Sequence, residues 1–389
     1  MILMQIGDQH NKMVAFADDI TAAGTIVALR KWWDDLLSVG PSYGYFSQPS
    51  KSWLIVKEKR LPEARERFDE TAVQITVKGE RHLGAVIGTD ENKKDYMNGK
   101  IEEWTREINL LAEIATTYPH SAYSAYMNGY QYKLTYFLRT IPGIEEELKK
   151  LDETIRHKLI PAFTGGHIVN DLERMILSLP PRLGGMGFKI FSEEATHLHR
   201  DSMSATSELQ NQILGTDDDA PILKSRSAIR NERRQRNDDE LQSILANSDE
   251  STKRMMEAIC QKGVSNWLTA IPIRDQWLEL TKQEFWDAVK LRYNWPLERI
   301  PSFCACGATF NVAHALSCKK GGFVLLRHNE VRDITAKLLS EVCVNVRKEP
   351  ILGEVGNEDL PRQTNRARET RLDISASTFG LLVKEHFLT

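Results

Sequence analysis

Three cysteines and one histidine are bunched near the carboxyl-terminal end of the chain. Cys304, Cys306, His314 and Cys318 follow the spacing C-x-C-x7-H-x3-C. Thiolate sulfurs and an imidazole nitrogen are a donor set suited to a tetrahedral Zn²⁺ ion. The spacer in the first cysteine pair is shorter than the usual one of about two to four residues, so unligated cysteines remain the alternative. We predict a structural zinc knuckle, with His328 as the substitute ligand if His314 points away.

Two adjacent carboxylates, Asp18 and Asp19, follow an apolar, strand-like run at residues 13–16. Neighbouring carboxylates repel each other and resist burial unless a cation holds them. Mg²⁺ prefers oxygen ligands of this kind. The pair is therefore a candidate magnesium site at the tip of a hairpin, although Asp-Asp by itself is more often an ordinary surface turn.

A basic run is the third candidate site. Between residues 224 and 236 the sequence contains six basic residues and one acidic residue, so the local charge is +5: Lys224, Arg226, Arg230, Arg233, Arg234 and Arg236 against Glu232. The whole chain has a net charge of −3 and therefore no global basic field. Nucleic-acid contacts would have to come from such local patches. A solvated linker or helix face is the alternative interpretation.

The elements that would position these residues are of mixed type. In the first ninety residues, β-like runs at 53–56, 73–77 and 81–88 alternate with turns, and 27–39 is predicted to be a helix. From about residue 91 the apolar period becomes helical, and 91–215 is predicted to be an all-helical module. Residues 267–291 are predicted to be one amphipathic helix. The fold class is therefore α+β.

Six of the ten tyrosines lie inside the predicted helical module: Tyr118, Tyr123, Tyr126, Tyr130, Tyr132 and Tyr136. Aromatic rings beside basic residues can stack on single-stranded nucleic acid. Spacings of three and four residues also describe a buried helix stripe, and we favour core packing for these tyrosines.

Composition excludes several classes of protein. Hydrophobic residues make up 41% and charged residues 27% of the chain, a balance that can bury a core and excludes wholesale disorder. No apolar run approaches the roughly 18 residues that cross a bilayer, so no membrane partner is expected. The five cysteines do not form the pattern of a disulfide framework, which favours a reducing, intracellular compartment.

The sequence around the aspartate pair resembles a known family. Phe16-Ala17-Asp18-Asp19 resembles the catalytic palm hairpin of reverse transcriptases. Residues 44–46 and 51–56 resemble the next palm motif, in which a lysine, here Lys51, lies near the incoming nucleotide. Residues 81–88 resemble the primer-grip hairpin. The three motifs occur in the family's order and at plausible spacing.

The carboxyl-terminal end is similar to that of non-LTR retrotransposons, which carry a restriction-like endonuclease after a zinc knuckle. The resemblance maps Glu330 to the acidic residue on the nuclease helix and Asp373 to the first strand acid. A second strand with an acid and a basic partner does not follow in this sequence. Because metal-assisted hydrolysis needs converging carboxylates, we predict no nuclease activity for this chain.

The resemblance implies five segments: a reverse-transcriptase palm at 1–90, a helical thumb at 91–215, a charged linker with helices at 216–300, a CCHC zinc knuckle at 301–323 and a truncated endonuclease domain at 324–389. The implied parent activity is RNA-directed DNA synthesis in the nucleus, with Mg²⁺, dNTPs, an RNA template and a DNA target as primer.

The fingers and an earlier palm aspartate are expected to precede Met1. The expectation is therefore a fragment that lacks a complete active site. The alternatives are a non-catalytic, zinc-dependent nucleic-acid-binding protein derived from a retroelement, and a pseudogene product with no selected function.

Overall fold

A computed structural model describes residues 11–16, 19–214, 225–276, 278–298, 300–320, 322–351 and 371–377. The chain is mostly helical and has small two-stranded sheets, so the predicted α+β class is confirmed. It divides into two compact units, Met1–Pro296 and Leu297–Thr389. Among the described helices, none is both long and apolar enough to span a bilayer.

Among the described residues before residue 90, there are three two-stranded sheets, two α-helices and short 3-10 turns. In chain order they are β1 (Asn11–Phe16), β2 (Asp19–Gly24), α1 (Ile26–Val39), β3 (Trp53–Ile55), α2 (Leu61–Phe68), β4 (Gln74–Thr76), β5 (Gly79–His82) and β6 (Ala85–Gly88). Strands β1 and β2 form an antiparallel hairpin in which Phe16 is opposite Asp19. Strands β3 and β4 are parallel and are connected through α2, whereas β5 and β6 form a second antiparallel hairpin.

Helix α1 contributes most of the hydrophobic core of this region. Its start is fixed by Thr25, whose side-chain oxygen accepts a hydrogen bond from the Ala28 N–H. One face of α1 is then buried against β3 and α2. The buried residues of this cluster are Ile26, Trp32, Trp33, Leu36, Leu54, Ala64 and Phe68.

Helices form the rest of the first unit. They are α3 (Asp90–Ala115), α4 (Pro119–Ala125), α5 (Gln131–Thr140), α6 (Glu145–Thr154), α7 (Ile160–Phe163), α8 (Asp171–Ser178), α9 (Phe191–Leu214), α10 (Arg226–Ala246), α11 (Glu250–Ile259), α12 (Asn266–Thr269) and α13 (Lys282–Arg292). Within 91–214, all of which the structure describes, there are helices and no strand, as predicted. One large hydrophobic cluster runs from Val86 to Tyr293 and is separate from the cluster under α1.

The tyrosines of this helical region divide between two environments. Tyr123 and Tyr126 are fully buried, and the Tyr123 hydroxyl donates to the Met186 carbonyl at 2.9 Å. Core packing is thus confirmed for these two residues. Tyr118, Tyr132 and Tyr136 are exposed, so the buried stripe does not extend to them.

Two buried charges hold the loop between α8 and α9. Arg174 donates to the carbonyls of Phe188 at 2.6 Å and Lys189 at 3.0 Å. Asp152 accepts from the first backbone N–H groups at the start of α9, those of Phe191 and Ser192. These bonds satisfy backbone groups that the helix and loop leave without partners. Desolvation raises the pKa of Asp152, although these N–H donors counteract it.

The prediction of one helix over 267–291 is wrong. The structure has the short helix α12, a single 3-10 turn at Arg274–Gln276 and then α13. Pro272 interrupts the run, since proline lacks the N–H that a helix interior needs. Thr281 caps α13, with Glu284 completing a reciprocal capping box.

In the second unit, a tight turn closed by the bridge Phe303↔Thr309 leads into α14 (Val312–Ser317). Helix α15 (Phe323–Val342) follows, and then the antiparallel strands β7 (Val344–Lys348) and β8 (Ile374–Ser377).

Candidate functional site

The first two cysteines of the cluster lie on a tight turn. The Cys304 N–H donates to the Ala308 carbonyl at 2.9 Å, and the Gly307 N–H donates to the Cys304 carbonyl at 2.8 Å. Gly307 has φ = 88°, a left-handed conformation that glycine adopts without strain. The turn therefore holds Cys304 and Cys306 close together despite their one-residue spacing.

Helix α14 supplies the other two ligands. Its cap is Asn311, whose side-chain oxygen accepts from the His314 N–H at 2.8 Å. The Cys318 N–H donates to the His314 carbonyl at 2.8 Å at the end of the helix. Residues four apart on a helix share a face, so His314 and Cys318 both point toward the turn that bears the other cysteines.

The four donor atoms have the spacing of a tetrahedral site. Cys304 Sγ lies 3.7 Å from Cys318 Sγ, and Cys306 Sγ lies 3.2 Å from His314 Nε2. All four ligand atoms lie within 4.8 Å of one another. A tetrahedron with Zn–S bonds of about 2.3 Å has S–S edges of about 3.8 Å. The donor set therefore fits zinc in both chemistry and size.

The thiols are free rather than joined in a disulfide, and so are available as metal ligands. All the cysteines are free, and a 3.7 Å separation is far longer than the roughly 2.05 Å of an S–S bond. The Cys306 backbone N–H favours the Cys304 thiolate, but desolvation and hydrogen bonds with the Cys318 and Cys306 thiols outweigh it and raise the Cys304 pKa. A cation among the sulfurs would reverse this rise. Four protein ligands complete a closed, structural type of site.

The described part of the second unit has few other sources of stability. Of its described residues, the buried apolar side chains are those of two candidate ligands, Cys304 and Cys318, together with Ala336 and Pro350. Small regions with so little buried apolar surface usually require a metal or disulfide to fold. A metal at the cluster would supply the stabilisation that the core lacks.

His328, the predicted substitute ligand, has another partner. Its Nε2 lies 3.3 Å from the carboxylate of Asp373. Among the described residues, the three thiols and His314 are the only group of three or more candidate ligands close enough to hold a metal ion. His314 completes that group, so no substitution by His328 is needed.

A cleft in the first unit brings together all three motifs that resemble a polymerase palm. It has a volume of about 910 Å³. Its lining includes Asp19 from the first motif, Lys51 from the second and the 81–84 segment of the third. Thr21 Oγ1 lies 3.3 Å from His82 Nε2, which links the first hairpin to the third motif. Asp18 lies outside the described residues.

The cleft contains charges of both signs. Lys51 and Arg81 are its basic residues, and Asp19 and Glu80 are its acidic residues. None of these four forms an ion pair with another described residue. Mg²⁺ usually keeps several waters and binds one or two carboxylates together with substrate phosphates. Within the described residues, Asp19 and Glu80 belong to no group of three or more candidate metal ligands.

The predicted basic patch lies largely on α10. Arg226, Arg230 and Arg234 are exposed and follow each other at intervals of four residues, so they form one stripe. Further along α10 the same stripe is buried, at Leu241 and Ile244. The first half of the helix therefore presents to solvent the face that its second half packs into the core.

The other basic residues of the patch differ from these three. Arg236 is paired with Asp201 at 2.9 Å, and Arg233 is half-buried. Burial, together with the positive charge of Arg233, lowers the pKa of Lys189 to about 8. Lys224 lies outside the described residues. The described part of the patch thus consists of an exposed arginine stripe and of two arginines, Arg233 and Arg236, that are half-buried or paired.

The two residues mapped to a nuclease site have separate environments. Glu330 is exposed on α15. Asp373 is half-buried just before β8, pairs with His328 and accepts the Glu349 N–H through its carbonyl at 3.0 Å. Neither residue belongs to a metal-binding group among the described residues.

Sequence reasoning missed the aromatic lining of the cleft. Trp32, Trp33, Phe46 and Trp53 all line it. The first two lie within the predicted helix 27–39, and their period indicated only a buried face. Phe46 and Trp53 were included in motifs that were identified for their lysine.

Comparison with known proteins adds no assignment: no family model, no curated protein and no solved structure matches this chain.

Proposed function

We propose that this chain is part of a reverse transcriptase of the non-LTR retrotransposon type. The observation that supports the proposal best is the cleft, because three motifs spread over residues 16–88 line the same cavity. Motifs that resembled a family by chance would have no reason to meet. The Cys3His cluster is a second and independent support.

In this proposal each motif has a defined role. Asp18 and Asp19 would bind Mg²⁺, which in such enzymes activates the primer hydroxyl and stabilises the leaving phosphate. Lys51 would lie near the nucleotide phosphates, and the β5–β6 hairpin would hold the primer end. The partners are an RNA template, a DNA primer and dNTPs, and the expected location is the nucleus.

We propose further that this chain binds template–primer but does not extend it unaided. Two-metal transfer needs several carboxylates around both ions. The described part of the cleft provides Asp19 and Glu80 alone. The α10 arginines and the thumb helices would contribute to binding instead.

A cross-linking experiment tests the assignment of the cleft. A DNA primer with a photoreactive 3′ end, annealed to RNA, is irradiated with the purified chain, and the modified peptides are identified by mass spectrometry. We expect adducts within residues 79–88. Adducts confined to other segments would contradict the proposal.

Primer extension with Mg²⁺ tests the statement about activity. We expect no incorporation by this chain alone. Incorporation that Asp19→Asn abolishes, and that Asp95→Asn on the exposed surface of α3 leaves unchanged, would overturn that statement and strengthen the family assignment.

A second candidate function, a zinc-dependent nucleic-acid-binding protein without catalysis, is favoured by the Cys3His geometry together with the free arginine stripe. It predicts that a chelator weakens binding to an RNA–DNA hybrid and that added Zn²⁺ restores it. Binding that is insensitive to both chelator and salt would favour a product without selected function.

A further inference from the structure

Two aromatic rings in the cleft are unusually exposed. Phe46 is 73% exposed and Trp53 is 42% exposed. Trp53 alternates with the buried Leu54 on β3, so the strand places it on the outer face of its sheet. Neither ring stacks on another aromatic ring in the described part of the chain. Exposed aromatic surface of this kind is costly and often marks a binding site.

The walls around these rings are also partly apolar. Ile55, Leu83 and Ile87 line the cleft with exposed fractions of 37%, 43% and 47%. A ligand that covered these side chains would remove much apolar surface from water, which is favourable. The cleft is therefore suited to a ligand with flat apolar parts.

Two indole groups at the wall have unused donors. Trp32 and Trp33 line the cleft and are only 9% and 5% exposed. Among the described residues, neither indole N–H has an acceptor. Buried donors without partners are rare because each loses its hydrogen bonds to water.

The charges of the cleft indicate that the bases of a nucleic-acid ligand, rather than its phosphate backbone, make the main contacts. Lys51 and Arg81 are balanced by Asp19 and Glu80, so the cleft attracts phosphates only weakly. Stacking on aromatic rings requires unpaired bases, because duplex bases already stack on one another. The combination of exposed rings and two cations is typical of sites for single strands.

We propose that Phe46 and Trp53 form a stacking platform that binds unpaired bases of a single-stranded nucleic acid in this cleft. The inference deepens the proposed function, on which it rests, since it names single-stranded template or primer as the ligand of the same site. Phe46 and Trp53 act here as binding residues and need no Mg²⁺.

The experiment uses the full chain, with no divalent ion added beyond protein-bound zinc, and an oligonucleotide that contains 2-aminopurine. We expect fluorescence quenching on binding, as the base stacks on a ring. Phe46→Ala and Trp53→Ala should each weaken binding about tenfold, within the range for loss of one stacked base. Phe46→Tyr should retain binding.

Two controls separate stacking from other causes. Phe46→Leu keeps an apolar side chain but removes the aromatic ring, so it should reduce both quenching and affinity about as much as Phe46→Ala does. Ile168→Ala, at a residue that is 76% exposed and outside the cleft lining, should change neither. Retained quenching and affinity in Phe46→Leu would overturn the stacking proposal.

The salt dependence distinguishes this proposal from nucleic-acid binding elsewhere. With at most two phosphate contacts, the cleft should contribute a log–log slope of about −1.4 or shallower for a single strand. If the Phe46→Ala/Trp53→Ala double variant quenches 2-aminopurine and binds the single strand as the native chain does, the platform is refuted even where cross-linking still supports the polymerase assignment. If the platform binds but the primer end cross-links elsewhere, the platform stands and the polymerase assignment fails.

Discussion

Replacing Arg226, Arg230 and Arg234 together with glutamine is expected to flatten the salt dependence of duplex binding. The three side chains are exposed, lie on one stripe of α10, and have no ion-pair partner among the described residues. Successive members are separated by four residues, which is a rise of about 6 Å along the helix. Each can therefore contact a separate phosphate.

The size of the effect follows from counterion release. Each neutralised phosphate of a duplex contributes about −0.9 to the slope of log K against log salt, so three contribute about −2.7. Between about 50 mM and about 200 mM salt, that slope corresponds to a loss of affinity of about 40-fold. The triple variant should lose this part of the salt dependence and keep its fold.

Fluorescence anisotropy with a labelled RNA–DNA hybrid, titrated at several salt concentrations, measures the slope directly. The matched control is Arg182→Gln/Arg236→Gln, in which both arginines are paired, with Asp238 at 3.3 Å and Asp201 at 2.9 Å. The control should lower stability slightly and leave the slope nearly unchanged. Equal slopes for the triple variant and the native chain would refute the assignment of phosphate contacts to this stripe.

Three further predictions concern stability and metal. Acid should release one equivalent of zinc from the purified chain, and Cys318→Ser should abolish tight retention; release of none would refute the zinc site. Burial lowers the pKa of His120 below its ordinary value of about 6.5. The stability that neutral His120 contributes is therefore complete above pH about 6.5 and is lost as the pH falls through the lowered pKa. The urea midpoints measured above and below that pH should differ less for His120→Gln than for the native chain. Gly185→Ala would place a Cβ 1.8 Å from the Leu179 carbonyl oxygen and should prevent folding, whereas Gly129→Ala meets nothing within 4 Å and should be tolerated in a thermal melt.

Local signals predicted a large part of the structure. The apolar run before Asp19 became strand β1, and the spacing of His314 and Cys318 placed both on one face of α14. These features depend on residues close in sequence, where the period of a strand or a helix determines the geometry. The zinc ligand set could be predicted for the same reason.

Features that depend on packing could not be predicted. On α15, Val331, Ile334 and Leu338 have the spacing of a buried stripe but are 60%, 57% and 60% exposed. The helix instead turns His328 toward Asp373, and Glu330, two residues further on, points to a different side. Which face of a helix packs is decided by a distant strand, and no local pattern contains that information.

The cleft and the metal cluster belong to different units and are stabilised in different ways. The cleft is built over a hydrophobic cluster that includes Trp33, Leu36 and Phe68, whereas the described residues of the second unit bury little apolar surface apart from Cys304 and Cys318. Chelation should therefore unfold the zinc knuckle and leave the stacking platform intact. We expect that 2-aminopurine is still quenched after chelation. We also expect that the far-UV helical signal falls only by the small share that the second unit contributes. Loss of quenching on chelation would mean that the platform depends on the metal and would contradict this separation.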